Sequence, residues 1–143
     1  MEFNARELNS EHLLERAKRE ASEIFYNQEA RRGRTFEQVY ANVLYGQAPE
    51  VYLIQKHGFT DNLTRYQDIL EPNGERVEVK TTRTINGVSK TLMRTQDWKK
   101  NQPYRNLADI LYIFIGDDVT GDYRLHGIFD WNKNDEKFYL RNT

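Results

Sequence analysis

The sequence predicts an α/β (or α+β) domain in which helices come first and a mixed central sheet follows. Three observations carry this prediction. Apolar residues recur at helical spacing over residues 10–32, which indicates a long amphipathic helix. The turn signal Pro72-Asn73-Gly74 separates two segments suited to strands. The nearly continuous apolar run over residues 108–116 is typical of a buried central strand.

Length and composition fit one domain spanning residues 1–143. The chain contains no cysteine, so disulfides and thiolate metal sites are excluded. No apolar run approaches the length of a membrane span, and Met1-Glu2-Phe3-Asn4 does not begin a signal peptide. We therefore expect a cytoplasmic protein that does not interact with a membrane.

The first helix is expected to begin with Ser10 as its N-cap and to end at residue 32, before Gly33. Arg16 and Glu20 are opposite charges four residues apart, which suits a solvated helix face.

A second helix is predicted from Phe36 to Tyr45, ending at Gly46. Thr35 followed by Gln38 has the form of a capping box, which favours a helix start at this point.

Pro49 suits the first position of a third helix, which we expect to run to His57 and to end at Gly58. Glu50 would then lie in the first turn, where the helix dipole favours a carboxylate.

Turn residues and apolar runs predict the helices and strands that come after the hairpin. We expect a turn at Asn86-Gly87 and a short helix before Pro103. The predicted helix spans residues 91–102, and the three predicted strands span residues 108–116, 123–131 and 137–141.

The hairpin around Pro72-Asn73-Gly74 brings two carboxylates together. If these three residues form the loop, Glu71 pairs with Glu75, and counting outward puts Asp68 opposite Glu78. Cross-strand partners share a face, with Cβ atoms about 4.5–5.5 Å apart. Lys80 shares that face with Glu78 because side chains alternate along a strand.

Val77 and Val79 then point the other way, into a core. Like charges directly opposite one another destabilise a sheet, and a divalent cation would remove the conflict. Mg²⁺ takes one or two carboxylates together with water and phosphate oxygens. The hairpin therefore predicts a metal site suited to phosphodiester chemistry.

Asp68, nine intervening residues and the triplet Glu78-Val79-Lys80 resemble the motif of the PD-(D/E)xK nuclease superfamily. In that family the Asp lies near a strand end and the acidic-x-Lys triplet on the next strand. This chain has Gln67 where the family has proline. The resemblance implies a restriction-endonuclease-like core over residues 36–131, preceded by a helical arm over residues 1–35.

The resemblance also implies roles for these residues in a Mg²⁺-dependent DNA endonuclease. Asp68, Glu78 and the backbone carbonyl of Val79 would hold one or two Mg²⁺ ions, with Mn²⁺ as an expected substitute. Lys80 would orient the attacking water or neutralise the phosphorane. The family commonly adds an acidic residue from a helix before the Asp strand, where Glu50 is the best match and Glu37 the alternative.

Positive charge is concentrated in residues 76–106, which carry eight basic and two acidic side chains although the whole chain has a net charge of −1. Such clustering is expected of a surface that contacts DNA phosphates. The residues expected to make these contacts are Arg83, Lys90, Arg94, Lys99, Lys100 and Arg105.

Three alternatives to a simple endonuclease stay open. A Holliday-junction resolvase would use the same site, with a homodimer formed through the N-terminal helix. A non-catalytic DNA-binding module would keep the basic segment and would not need Asp68 opposite Glu78. A protein-interaction domain would use the hairpin only as a solvated edge.

Overall fold

The computed structural model describes residues 1–62 and 69–141. In these ranges the chain is a mixture of α and β structure, as predicted. The helices are α1 (Ser10–Phe25), α2 (Gln28–Arg31), α3 (Phe36–His57) and α4 (Ile85–Asn101). The strands are β1 (Glu2–Asn4), β2 (Thr60–Asp61), β3 (Ile69–Leu70), β4 (Arg76–Thr82), β5 (Ile110–Gly116), β6 (Asp122–Asn132) and β7 (Lys137–Leu140).

The described strands form one mixed sheet in the order β1-β6-β5-β4-β3-β2, and β7 also pairs with β6. β4 and β5 are parallel, and the other pairs are antiparallel. A parallel pair needs a crossover, and α4 provides it. β5 lies between β4 and β6 and is almost wholly buried, which confirms the predicted central strand.

The turn between β3 and β4 has the predicted register. The Glu71 N–H donates to the Glu75 carbonyl over 2.8 Å, and Ile69 pairs with Val77. Asp68, which the sequence places opposite Glu78, lies outside the described residues.

The two faces of the sheet are covered by different helices. Val77 and Val79 pack with Val51 of α3 in the larger core, as expected for their side of the hairpin. On the other face, Ile113 of β5 packs with Val88 of α4. β4 therefore lies between α3 and α4.

The first helix is shorter than predicted. α1 has Asn9 rather than Ser10 as its N-cap and ends at Phe25. The Asn27 side chain accepts a hydrogen bond from the Ala30 N–H and so begins the short helix α2. Arg32, with a φ of 54°, rather than Gly33 is the C-cap of α2.

The predicted second and third helices are one helix, α3. The capping box of Thr35 and Gln38 is present, and Gly58 ends the helix in the left-handed conformation with a φ of 70°. Pro49 does not interrupt it, although proline cannot donate a hydrogen bond to the carbonyl four residues earlier. Here that carbonyl, on Tyr45, accepts a hydrogen bond from the Tyr123 hydroxyl over 3.0 Å.

Asn86-Gly87 is not a turn but part of the first turn of α4. The Thr84 hydroxyl accepts a hydrogen bond from the Gly87 N–H and caps the helix. A Cβ atom at Gly87 would overlap the Thr82 hydroxyl, so glycine here permits close approach of α4 to β4.

The expected N-terminal arm contains a strand as well as helices. β1 pairs with β6, and Phe3 is 5% exposed. No helix within residues 1–62 and 69–141 is long and apolar enough to cross a membrane.

Candidate active site

Glu78 and Lys80 lie on the same face of β4, two residues apart. The Lys80 ammonium is 3.6 Å from Glu78 Oε1 and 5.5 Å from the centre of the Trp98 ring on α4. The Glu78 residue is 9% exposed, whereas 30% of the Lys80 side chain is exposed. The strand therefore presents a nearly buried carboxylate beside an amine that solvent can reach.

Glu50 contributes a second carboxyl group to the same place from the middle of α3. Burial, together with the smaller effect of the negative charges of Glu20 and Glu78, raises the pKa of Glu50 to about 8. The positive charges of Arg16 and Lys80 act in the opposite direction. An additional positive charge near Glu50 would therefore lower the pKa of its carboxyl group, as Arg16 and Lys80 already do.

The helix-dipole explanation for Glu50 was wrong, because the residue lies well inside α3 rather than in a first turn.

A buried arginine, Arg16, contacts Glu50 and two other polar side chains around it. Arg16 of α1 is 2% exposed, so the solvated position predicted from its spacing to Glu20 is wrong. Its guanidinium donates to Gln47 Oε1 over 2.7 Å and lies 3.7 Å from Glu50 Oε2. It also lies 3.1 Å from Asp61 Oδ2. Arg16 thus links α1, α3 and β2 around the Glu50 carboxyl.

Glu20 was also missed as a site residue. It accepts a hydrogen bond from the Gln47 side chain and lines the cleft with Glu50 and Glu78. A usable signal was present in the sequence, since Arg16 and Glu20 lie on the same side of α1 as the apolar Ala17 and Ala21.

Two adjoining clefts meet at Glu20, Glu78 and Lys80. One, of about 470 Å³, extends past Glu50 to Arg83. The other, of about 920 Å³, is bounded by α1 and α2 on one side and by the end of α4 on the other. Because they share these residues, we treat them as one groove, called the β4 groove, with Glu78 and Lys80 at its middle.

The predicted basic residues do not form one surface. Arg94 and Arg105 lie around Trp98, with guanidinium carbons 6.0 and 4.8 Å from the ring centre. Arg83 lines the other end of the groove and pairs with Asp118 at 3.0 Å.

Lys99 and Lys100 lie elsewhere. Lys99 Nζ is 2.8 Å from Asp109 Oδ1 and donates to the Leu107 carbonyl, with only 13% of the side chain exposed. Lys100 is 3.6 Å from Glu136. Lys90 is exposed on α4.

Val79 and Glu37 are the other residues predicted as metal ligands within the described part of the chain. The Val79 side chain packs in the core, so only its backbone carbonyl could act as a ligand. Glu37 is exposed in the first turn of α3 and does not line the β4 groove. Among residues 1–62 and 69–141, no three His, Cys, Asp or Glu side chains form a group that could hold a metal ion. Asp68 is not among those residues.

Comparisons of the chain with protein-family models, with curated proteins and with solved structures found no match.

Proposed function

We propose that this protein is a metal-dependent endonuclease that hydrolyses phosphodiester bonds in DNA. The observation that carries the proposal is the meeting of Glu50, Glu78 and Lys80 in one groove although α3 and β4 are far apart in sequence. The arrangement also agrees with the resemblance to the PD-(D/E)xK superfamily. Glu50 is on a helix before the hairpin, and Glu78-Val79-Lys80 is on the strand after Asp68.

The donor set fits Mg²⁺. Glu78 and Glu50 offer carboxylate oxygens, the ligands that hard cations prefer, and Asp68 and the Val79 carbonyl complete the proposed set. Because burial raises the pKa of Glu50, a cation would have to displace the proton of this carboxyl group, and it would then compensate the Glu50 and Glu78 charges together. When bound, Mg²⁺ would lower the pKa of a water molecule and neutralise charge on the phosphate.

Lys80 is suited to stabilise the transition state. Its ammonium is held between Glu78 and the Trp98 ring, so it is positioned before substrate arrives. A compact ammonium beside the attacked phosphorus would orient the water or stabilise charge on the phosphorane oxygens. Arginine would be a poor replacement because its planar guanidinium has a different shape.

Cleavage of supercoiled, linear, single-stranded and branched DNA with Mg²⁺ or Mn²⁺ tests the proposal. We expect Lys80→Ala to lower turnover by about 10²- to 10³-fold, the scale for removing one group that stabilises transition-state charge. We expect Mg²⁺ to raise the melting temperature of the wild type, and we expect Glu78→Gln to lose both this rise and cleavage.

Lys100→Gln is the matched control, because it removes a lysine charge outside the β4 groove. Wild-type turnover in Lys80→Ala would contradict the proposed function. Preference for branched DNA would favour the resolvase alternative, and DNA binding without cleavage would favour a binding module.

A further inference from the structure

Each end of the β4 groove carries an arginine. Arg83, with 58% of its side chain exposed, lines one end, where it pairs with Asp118 at 3.0 Å and its guanidinium lies 4.6 Å from the Tyr45 ring. Arg105 lines the other end beside Trp98. Phosphates on either side of the central Glu78 and Lys80 would therefore meet an arginine.

An exposed aromatic ring lies at the Arg105 end. Tyr104 lines the groove in a 3₁₀ turn spanning Pro103–Arg105 and is 71% exposed. The turn is fixed by Pro103 at its start and by Asn106, which adopts a φ of 45°. An exposed aromatic side chain beside an arginine is an arrangement on which nucleic-acid bases stack.

The opposite wall is acidic. Glu20, Glu23 and Glu29, from α1 and α2, line the same cleft as Tyr104 and Arg105. One phosphate backbone can follow the arginines while its bases turn toward Tyr104. A second backbone in the groove would lie against these glutamates and be repelled, because like charges at short range cost free energy.

We propose that the β4 groove binds a single strand of DNA, with a base stacked on Tyr104 and the phosphates between Arg83 and Arg105. This inference rests on the proposed nuclease function and assigns its substrate class, which is single-stranded DNA or the unpaired part of a larger DNA. The scissile phosphate lies at Glu78 and Lys80, between the two arginines.

Binding can be measured by fluorescence anisotropy, in chelator, with a labelled single-stranded oligonucleotide. The same sequence closed into a hairpin duplex, and its RNA version, are the comparison probes. We expect the DNA single strand to bind at least tenfold more tightly than the duplex. Tyr104→Leu should weaken single-strand binding by about tenfold, within the range for loss of one stacked base. Tyr104→Phe should bind like the wild type, because it keeps the ring.

Salt dependence gives a second readout. Each phosphate neutralised on a single strand contributes about 0.7 to the slope of log affinity against log salt. Arg105→Gln should lower this slope, whereas Lys100→Gln should leave it unchanged. Melting curves of each variant verify that the fold is intact.

Equal or tighter binding of the duplex, or unchanged single-strand binding in Tyr104→Leu, would overturn the inference. So would a preference for RNA over DNA. Lys80-dependent cleavage of duplex DNA that survives in Tyr104→Leu would leave the nuclease proposal standing and overturn this one. Tyr104-dependent binding of single strands without cleavage in Mg²⁺ or Mn²⁺ would do the reverse.

Discussion

Burial and neighbouring charge act in opposite directions on the carboxyl group of Glu50. Burial is the larger effect, and it raises the pKa to about 8 even though Arg16 lies 3.7 Å away. Glu50 is therefore largely protonated at neutral pH, and the metal ion proposed to bind this carboxyl group would have to release the proton.

This pKa gives a prediction for stability against pH. Below about pH 4.5, the ordinary pKa of Glu, the residue is protonated in both the folded and unfolded states. Between about pH 5 and pH 8 the folded protein holds the proton and the unfolded chain does not. The contribution of Glu50 to the free energy of unfolding therefore falls as pH rises through this range. In chelator, Glu50→Gln should lose this part of the decline, as measured by urea unfolding across that range.

Glu37→Gln is the control for this measurement, because Glu37 is an exposed glutamate on the same helix. It should keep the decline of the wild type. An equal decline in Glu50→Gln would mean that Glu50 does not hold the proton.

At the scale of elements, α3 passes through Pro49 because another part of the chain replaces the missing helix hydrogen bond. The Tyr123 hydroxyl donates to the Tyr45 carbonyl, and the Tyr45 hydroxyl donates to the Gly116 carbonyl over 2.8 Å. A Cβ at Gly116 would overlap the Tyr123 ring, so the glycine makes room for this contact. The continuity of α3 thus depends on β5 and β6.

A double-mutant cycle tests this explanation. Tyr123→Phe should destabilise the protein by about 1–3 kcal/mol, because it leaves the Tyr45 carbonyl unsatisfied. Pro49→Ala restores an N–H that can donate to the same carbonyl, so Tyr123→Phe should cost less in that background. Urea unfolding of the four proteins measures the coupling. Additive effects would show that the hydroxyl does not replace the helix bond.

At the scale of the whole molecule, the N-terminal residues are part of the core rather than a separate arm. The Phe3 ring stacks on Tyr52 of α3 at 4.1 Å and on Tyr123 of β6 at 4.9 Å. The apolar side of α1 is also used within the chain, since Ala17 and Ala21 are fully buried against α3. A homodimer formed through the N-terminal helix would therefore have to use the outer side of α1.

Truncating Phe3 should affect global stability. We expect Phe3→Ala to lower the free energy of unfolding by about 3–5 kcal/mol, as for other buried aromatic residues. Tyr26→Ala is the control, because Tyr26 lies in the same N-terminal segment and is 83% exposed. It should change stability by no more than about 0.5 kcal/mol. A change of no more than about 0.5 kcal/mol for Phe3→Ala as well, in thermal or urea unfolding, would place residues 1–35 outside the folding unit.

Local chemistry alone determined several features. The register of the turn followed from Pro72-Asn73-Gly74, and the ends of α3 followed from the capping box at Thr35 and from Gly58. Alternation along β4 placed Glu78 and Lys80 on one face. These features could be predicted because each depends on neighbours within a few residues.

The tertiary structure decided the features that depend on distant partners. A contact from another element explains each of three such features. These are the continuation of a helix through Pro49, the burial of Arg16 next to Glu50, and the pairing of Lys99 with Asp109. A local preference for a helix end, a solvated charge or a free lysine amounts to about 0.3–3 kcal/mol. Burial and a satisfied hydrogen bond together can exceed that amount, and their partners are not visible in a local window of sequence. The sequence alone therefore predicted that Glu78 and Lys80 share one face of β4. Only the tertiary structure showed that Arg16 and Glu20 lie next to the candidate site.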